Sequence, residues 1–274
     1  MFKPEKYANV MRPLWCRWVV LSWMAFIASC GTYVEDSVGL QRVLNEAGAN
    51  KEELVKVITH YSAEEKDSLK LIAANFLIEN MYKHEMVSDS AYDGYASRIT
   101  RKVMPISTPD LNNLWNTKYD VKKRKTAETI KAVDLIADID EAFVIREQSR
   151  WKDSIDWEVF LSHILPFKVD EEMFIVHWRK TLYNKYKYLL DNTDSPKEAF
   201  VRVKTFIRSQ SREAKSNFSK NIDPLTMDYL RRGSCAQLDI YTIAVLRALH
   251  IPAAYDFIES WGNYSKVGHS WRRI

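Results

Sequence analysis

Glycine is scarce in this chain, with 7 residues in 274, roughly a third of the usual ~7% frequency. Three of the seven, Gly233, Gly262 and Gly268, fall in the last 42 residues. Tight turns are therefore rare through most of the sequence and gather near its end. That predicts a helical body with strands only at the end, an α+β chain rather than an all-β one. Charge of one sign is also lacking. The net charge is +4, of which residues 1–29 carry +3 (Lys3, Lys6, Arg12 and Arg17 against Glu5), leaving +1 for the rest. Nucleic-acid binding needs concentrated positive charge, so nucleic acid is not an expected partner. The basic run Lys122 to Lys125 is only four residues long and reads as a solvated helix start or loop. His60, His84, His163 and His177 show no metal-ligand spacing, and no metal or other cofactor is expected.

A long apolar run is missing too. Trp18 to Ala28, with Ser22 its only polar residue, is shorter than the roughly 18–20 residues a spanning helix needs. Preceded by the four basic residues, it reads as a secretory signal. It closes in Ile27-Ala28-Ser29-Cys30, which resembles the lipobox of bacterial lipoproteins. The resemblance implies cleavage before Cys30 and acylation there. More than one acyl chain would then give a stable anchor in the cell envelope, in the outer membrane on its periplasmic or surface side. An ordinary signal peptide with an incidental cysteine is the alternative. The expected organisation is a signal over 1–29, a helical region over 30–220 and a final unit over 221–274.

Helical periodicity and start signals fill the middle region. Ser62 and Glu65 have capping-box spacing ahead of Leu69, Ile72, Ala73, Phe76 and Leu77, and Asn50 with Glu53 gives a start for 53–61. A connection is expected between Met104 and Pro109. Ile130, Val133, Ile136, Ala137 and Phe143 predict a helix that breaks near Asp138 to Asp140. Asp156 is placed to cap a helix over 157–164 that Pro166 ends, and a long helix is expected over 171–190. Ser195-Pro196-Lys197-Glu198 combines a cap, a first-turn proline and an acid three residues on, predicting a helix over 196–209.

With Cys16 and Cys30 assigned to the leader and anchor, Cys235 is the one thiol left. Ser234 can cap a helix starting at Cys235, with Leu238, Tyr241, Thr242, Val245, Ala248 and Leu249 inward and Pro252 as its stop. Residues 253–258 have strand character, 259–267 read as a loop, and Gly268 to Trp271 begin another strand. The unpaired N–H groups of a helix start favour a thiolate and can stabilise an oxyanion. A histidine within reach, His269, would complete a nucleophile–base pair.

Gly233-Ser234-Cys235, then Leu246 to Ala253, then Gly268-His269-Ser270-Trp271 resemble the transglutaminase-like core of bacterial proteins. Residues 54–61, 73–81 and 164–167 resemble the upstream part of bacterial lipoproteins of that class. The resemblance implies a transglutaminase/papain-like core with Cys235 as nucleophile and His269 as base. It further implies acyl transfer or hydrolysis on carboxamides of a protein or peptide, and an acid on the strand after the histidine to orient it. That strand is not reached, because Ile274 follows five residues after His269. The core is expected to be incomplete and its activity weak or absent. Asp256 is the nearest substitute acid, and it and Asp239 read as structural. His250, where a glycine is usual after the helix, reads as a partner for the helix C-terminal dipole. A non-catalytic binding or scaffold lipoprotein keeping the fold is the alternative reading, and a gene fragment is a third.

Overall fold

The computed structural model describes residues 37–87, 123–213, 222–258 and 269–273, with 257–258 and 269–273 described by their backbone alone. Its helices are α1 (Val38–Glu46), α2 (Lys51–Ser62), α3 (Ser68–Glu79), α4 (Ala132–Gln148), α5 (Trp157–Val159), α6 (Trp178–Tyr186), α7 (Pro196–Ser209), α8 (Pro224–Leu230) and α9 (Cys235–Ala248). Short strands pair in twos. β1 (Glu85–Val87) and β2 (Lys123–Lys125) are antiparallel, β3 (Arg212–Glu213) and β4 (Arg232–Gly233) parallel, and β5 (Ala254–Ile258) and β6 (His269–Arg273) antiparallel. Helix dominates the described chain, as the shortage of glycine predicts, giving a mixed α+β architecture. No helix among the described residues is long and apolar enough to cross a membrane.

One apolar cluster runs from Leu40 to Ala253. α9 lies at its centre, buried on every side from Ile240 to Ala248, and packs on α6, α7, α8 and both strands of the β5–β6 hairpin. A helix apolar all round is stable only when covered all round. The helical body is thus the housing of the helix that Cys235 begins.

Several local expectations are corrected, in some cases because a polar side chain is spent on a distant partner. Ser62 closes α2, its hydroxyl on Thr59 O, so the Ser62–Glu65 box does not form. α3 starts later, after a 3-10 turn, and its inward face is Ala73, Ala74, Leu77 and Ile78, while Leu69 and Ile72 are 47% and 45% exposed. Asn50 does not cap α2 with its side chain. Its amide donates to Ala127 O and Ile130 O, and Glu53 accepts from the Ala132 N–H at the start of α4. α4 runs unbroken through Asp138, which is buried against Arg179. Residues 171–177 are not helical, because both Glu172 oxygens accept from the backbone N–H groups of Val169 and Asp170. The helix there begins only at Trp178, after His177 in a left-handed conformation (φ 64°). Trp157 opens one α-turn that continues as a π-helix, Phe160–Ile164, and Pro166 follows its end. Lys123 to Lys125 form β2 instead of a solvated helix start or loop, with Lys123 paired to Glu171 and Glu85. α7 forms as expected, with Ser195 Oγ accepting from Glu198 N. The expected connection at 104–109 and the loop at 259–267 lie outside the described residues.

Candidate active site

Asp223 Oδ1 accepts from Leu225 N and Thr226 N at 3.0 and 2.9 Å, and Pro224 takes the first position of α8. This start signal is plain in the sequence once Asp223-Pro224 is read as a cap followed by a first-turn proline. Arg231 ends α8 in the left-handed region (φ 52°) and sends the chain into β4, directly before α9. Such a conformation is strained for a residue with a Cβ. Here Asp228 holds it. The carboxylate accepts from Arg231 at 2.9 Å, from Tyr241 Oη of α9 at 2.8 Å and from Tyr186 Oη of α6, and it pairs with Lys185 at 2.5 Å. Burial pushes both tyrosine hydroxyls far above their ordinary range, and the Asp228 charge adds to it. Both therefore stay protonated donors. Three helices are fastened together immediately before the thiol, and nothing in the local sequence pattern announces the contacts, since Tyr186 and Tyr241 are remote from Asp228 in the chain.

Gly233 comes next, where an added side chain would make its neighbours give way. A Cβ would lie 2.9 Å from the buried Met227 methyl and 3.0 Å from Gln237 Oε1. Gln237 is the second half of a capping box. Ser234 N–H donates to Gln237 Oε1 at 3.0 Å, and Gln237 N–H donates to Ser234 Oγ. Cys235 is the first residue of the capped helix, a partly buried free thiol. The leading N–H groups of a helix have no intrahelical acceptors, so an anion arriving beside Cys235 meets donors.

The far end of α9 closes in a Schellman arrangement. Ile251 N–H donates to Leu246 O at 2.9 Å and His250 N–H to Arg247 O at 3.1 Å, with His250 at φ 58°. This is the site that usually takes glycine. His250 is 1% exposed and neither ring nitrogen has a partner among the described residues. Burial, with the nearby charges of Arg146 and Arg179, pushes its pKa down to about 3. The expected dipole-partner role is therefore corrected. A neutral imidazole brings no positive charge to the helix end, and the ring instead fills space beside Phe160 at 5.7 Å.

A short connection, 249–253, joins α9 to β5, and both strands of the hairpin lie against α9. β5 ends at Ile258, and Ile258 is paired with His269. His269 thus begins β6 opposite the end of β5, at the turn end of the hairpin. Asp256 pairs with Trp271, so the period of two puts Asp256 and His269 at diagonal positions on one face of the hairpin. Asp239, one turn into α9, is buried. The His269 side chain and Cys30 lie outside the described residues. Among the described residues no group of His, Cys, Asp or Glu gathers that could hold a metal ion. No family model matches the chain, and neither a curated protein nor a solved structure does.

Proposed function

We propose that this protein is a transglutaminase-like thiol enzyme, exported and held to the cell envelope through lipid on Cys30. Cys235 is the nucleophile and His269 the base. His269 takes the thiol proton as sulfur attacks a carboxamide carbonyl, and the α9 N–H groups receive the oxyanion. As the C–N bond breaks, the proton goes to the departing amine or ammonia, leaving a thioester on Cys235. An incoming amine or water, deprotonated by His269, attacks the thioester. The products are a new amide or an acid and the free thiol. Asp256, diagonal to His269 on the hairpin, is the acid proposed to orient it. The observation that supports this most is the shared geometry of one helix and one hairpin. The thiol opens a capped helix, and the hairpin that carries His269 packs against that same helix.

The test is release of ammonia from a glutamine-containing protein, and incorporation of a fluorescent primary amine into it. Cys235→Ala should abolish both, and His269→Ala should lower kcat by about 10²–10⁴-fold, with the thioester trapped on Cys235 by mass spectrometry. Turnover that survives Cys235→Ala, or no turnover and no thioester at all, would defeat the proposal. For the anchor, mass spectrometry of detergent-extracted protein should find acyl groups on an N-terminal Cys30. A water-soluble product beginning elsewhere would overturn that part alone.

A further inference from the structure

A cavity of about 300 Å³ opens between α3, the turn before β1, the start of the 3-10 turn at Thr126, and residues 162–169, with Arg247 of α9 also in its lining. That volume is at the small end of ligand pockets, about 300–1,000 Å³. Its lining contains two cations and no carboxylate. Lys168 is 9% exposed and Arg247 7%. Lys168 Nζ donates to Glu85 O at 2.6 Å and Asp170 O at 3.0 Å, which leaves one of its three N–H groups over. Arg247 spends four donor contacts on the carbonyls of His163, Pro166, Lys168 and Ala253. Among the described residues neither cation has a carboxylate at ion-pair distance. The charges of Glu172, Asp170, Glu171 and Glu85 act on Lys168 from farther off, and that of Glu172 acts on Arg247, but both Glu172 oxygens are held by backbone N–H groups.

A buried cation with no carboxylate in direct contact is costly to keep charged. The strain shows in both groups, since burial pushes Lys168 below the usual lysine range and Arg247 down to about 10. At the same wall the Thr126 hydroxyl is buried without a hydrogen-bond partner. Phe167 and Val169 supply an apolar side.

We infer that this cavity binds a small organic monocarboxylate, its two oxygens facing Lys168 and Arg247 and its apolar body against Phe167 and Val169. Few donors remain uncommitted, enough for a carboxylate and too few for a phosphate dianion. The apolar wall favours a ligand with a hydrocarbon or aromatic part. The site uses neither Cys235 nor His269 and does not depend on the thiol chemistry.

The experiment is calorimetric titration of the full-length protein with benzoate, benzamide and inorganic phosphate. Benzoate should bind, benzamide should not, and phosphate should bind at least tenfold more weakly than benzoate. Lys168→Met should weaken benzoate at least tenfold. Because that variant also loses two bonds to backbone carbonyls, Val169→Phe serves as a second. It fills the apolar side, leaves both cations in place and should abolish binding as well. His84 lies at the solvent edge of the cavity, held below its ordinary pKa by partial burial and the charge of Lys168. Its pKa, read by NMR, should rise on adding benzoate. The inference is overturned if benzoate does not bind, if Val169→Phe leaves its affinity unchanged, or if phosphate binds as tightly.

Discussion

His250 shows how much a single position can hold against its own chemistry. Its backbone takes the left-handed conformation that glycine takes most easily, and its ring is buried with both nitrogens unpartnered. Folding depresses its pKa to about 3 from about 6.5 in an unfolded chain. Between these values the unfolded chain binds a proton that the folded one does not, so stability falls as pH falls. The contribution is level above about pH 7 and is lost progressively between about pH 6.5 and 3. At pH 5 the loss is about 2 kcal/mol relative to pH 7. His250→Gly should remove that loss while also relieving the φ 58° conformation. Urea unfolding at pH 7 and pH 5 measures it. If the variant loses as much stability between the two pH values as the parent, the buried imidazole is not the cause.

Elements were legible in the sequence where their signals are satisfied within a few residues. The starts of α7 and α9 are read directly, because Ser195 and Ser234 cap their own helices. The order helix, strand, strand at the end follows from Pro252 and the glycines, and with it the placing of Cys235 at the α9 start. What failed are signals answered across the fold. Glu53 has the spacing to serve its own helix, yet it caps α4. Asp138 looks like a helix breaker and is neutralised by Arg179 from α6. Glu172 is a different case: it looks like helix, but the neighbouring turn at 169–170 claims both its oxygens. Local pattern reports which hydrogen bonds a segment needs. It does not report who supplies them. The same limit applies at the candidate site, where Asp228, Tyr186 and Tyr241 fix the approach to Cys235 without any spacing that would reveal them.

Across the whole molecule two buried guanidinium groups join the body to the site-bearing end. Arg179 donates to Asp138 Oδ2 at 3.0 Å, Ile164 O at 3.0 Å and Leu165 O at 2.9 Å, while Arg247 takes the carbonyls of His163, Pro166, Lys168 and Ala253. The last carbonyls of a helix have no intrahelical donors. Here α4, α6 and α9 are tied together through the end of the 157–164 helix and the residues that follow it. Asp138 is wholly buried, and burial raises its pKa despite the guanidinium beside it. The pair is thus costly to keep charged and costlier to break. Arg179→Met should destabilise by about 3–5 kcal/mol, because it leaves a buried carboxylate unpaired. Asp138→Leu with Arg179→Met should recover part of that, since no lone charge remains. The recovery should be incomplete, because Ile164 O and Leu165 O would still lack donors, at about 1–3 kcal/mol each. Unfolding midpoints in urea, followed by far-UV circular dichroism and by tryptophan fluorescence, should shift together for both variants if one core spans the body and α9. A double variant no more stable than the single one would show that the carbonyls, not the ion pair, are what Arg179 is there to serve.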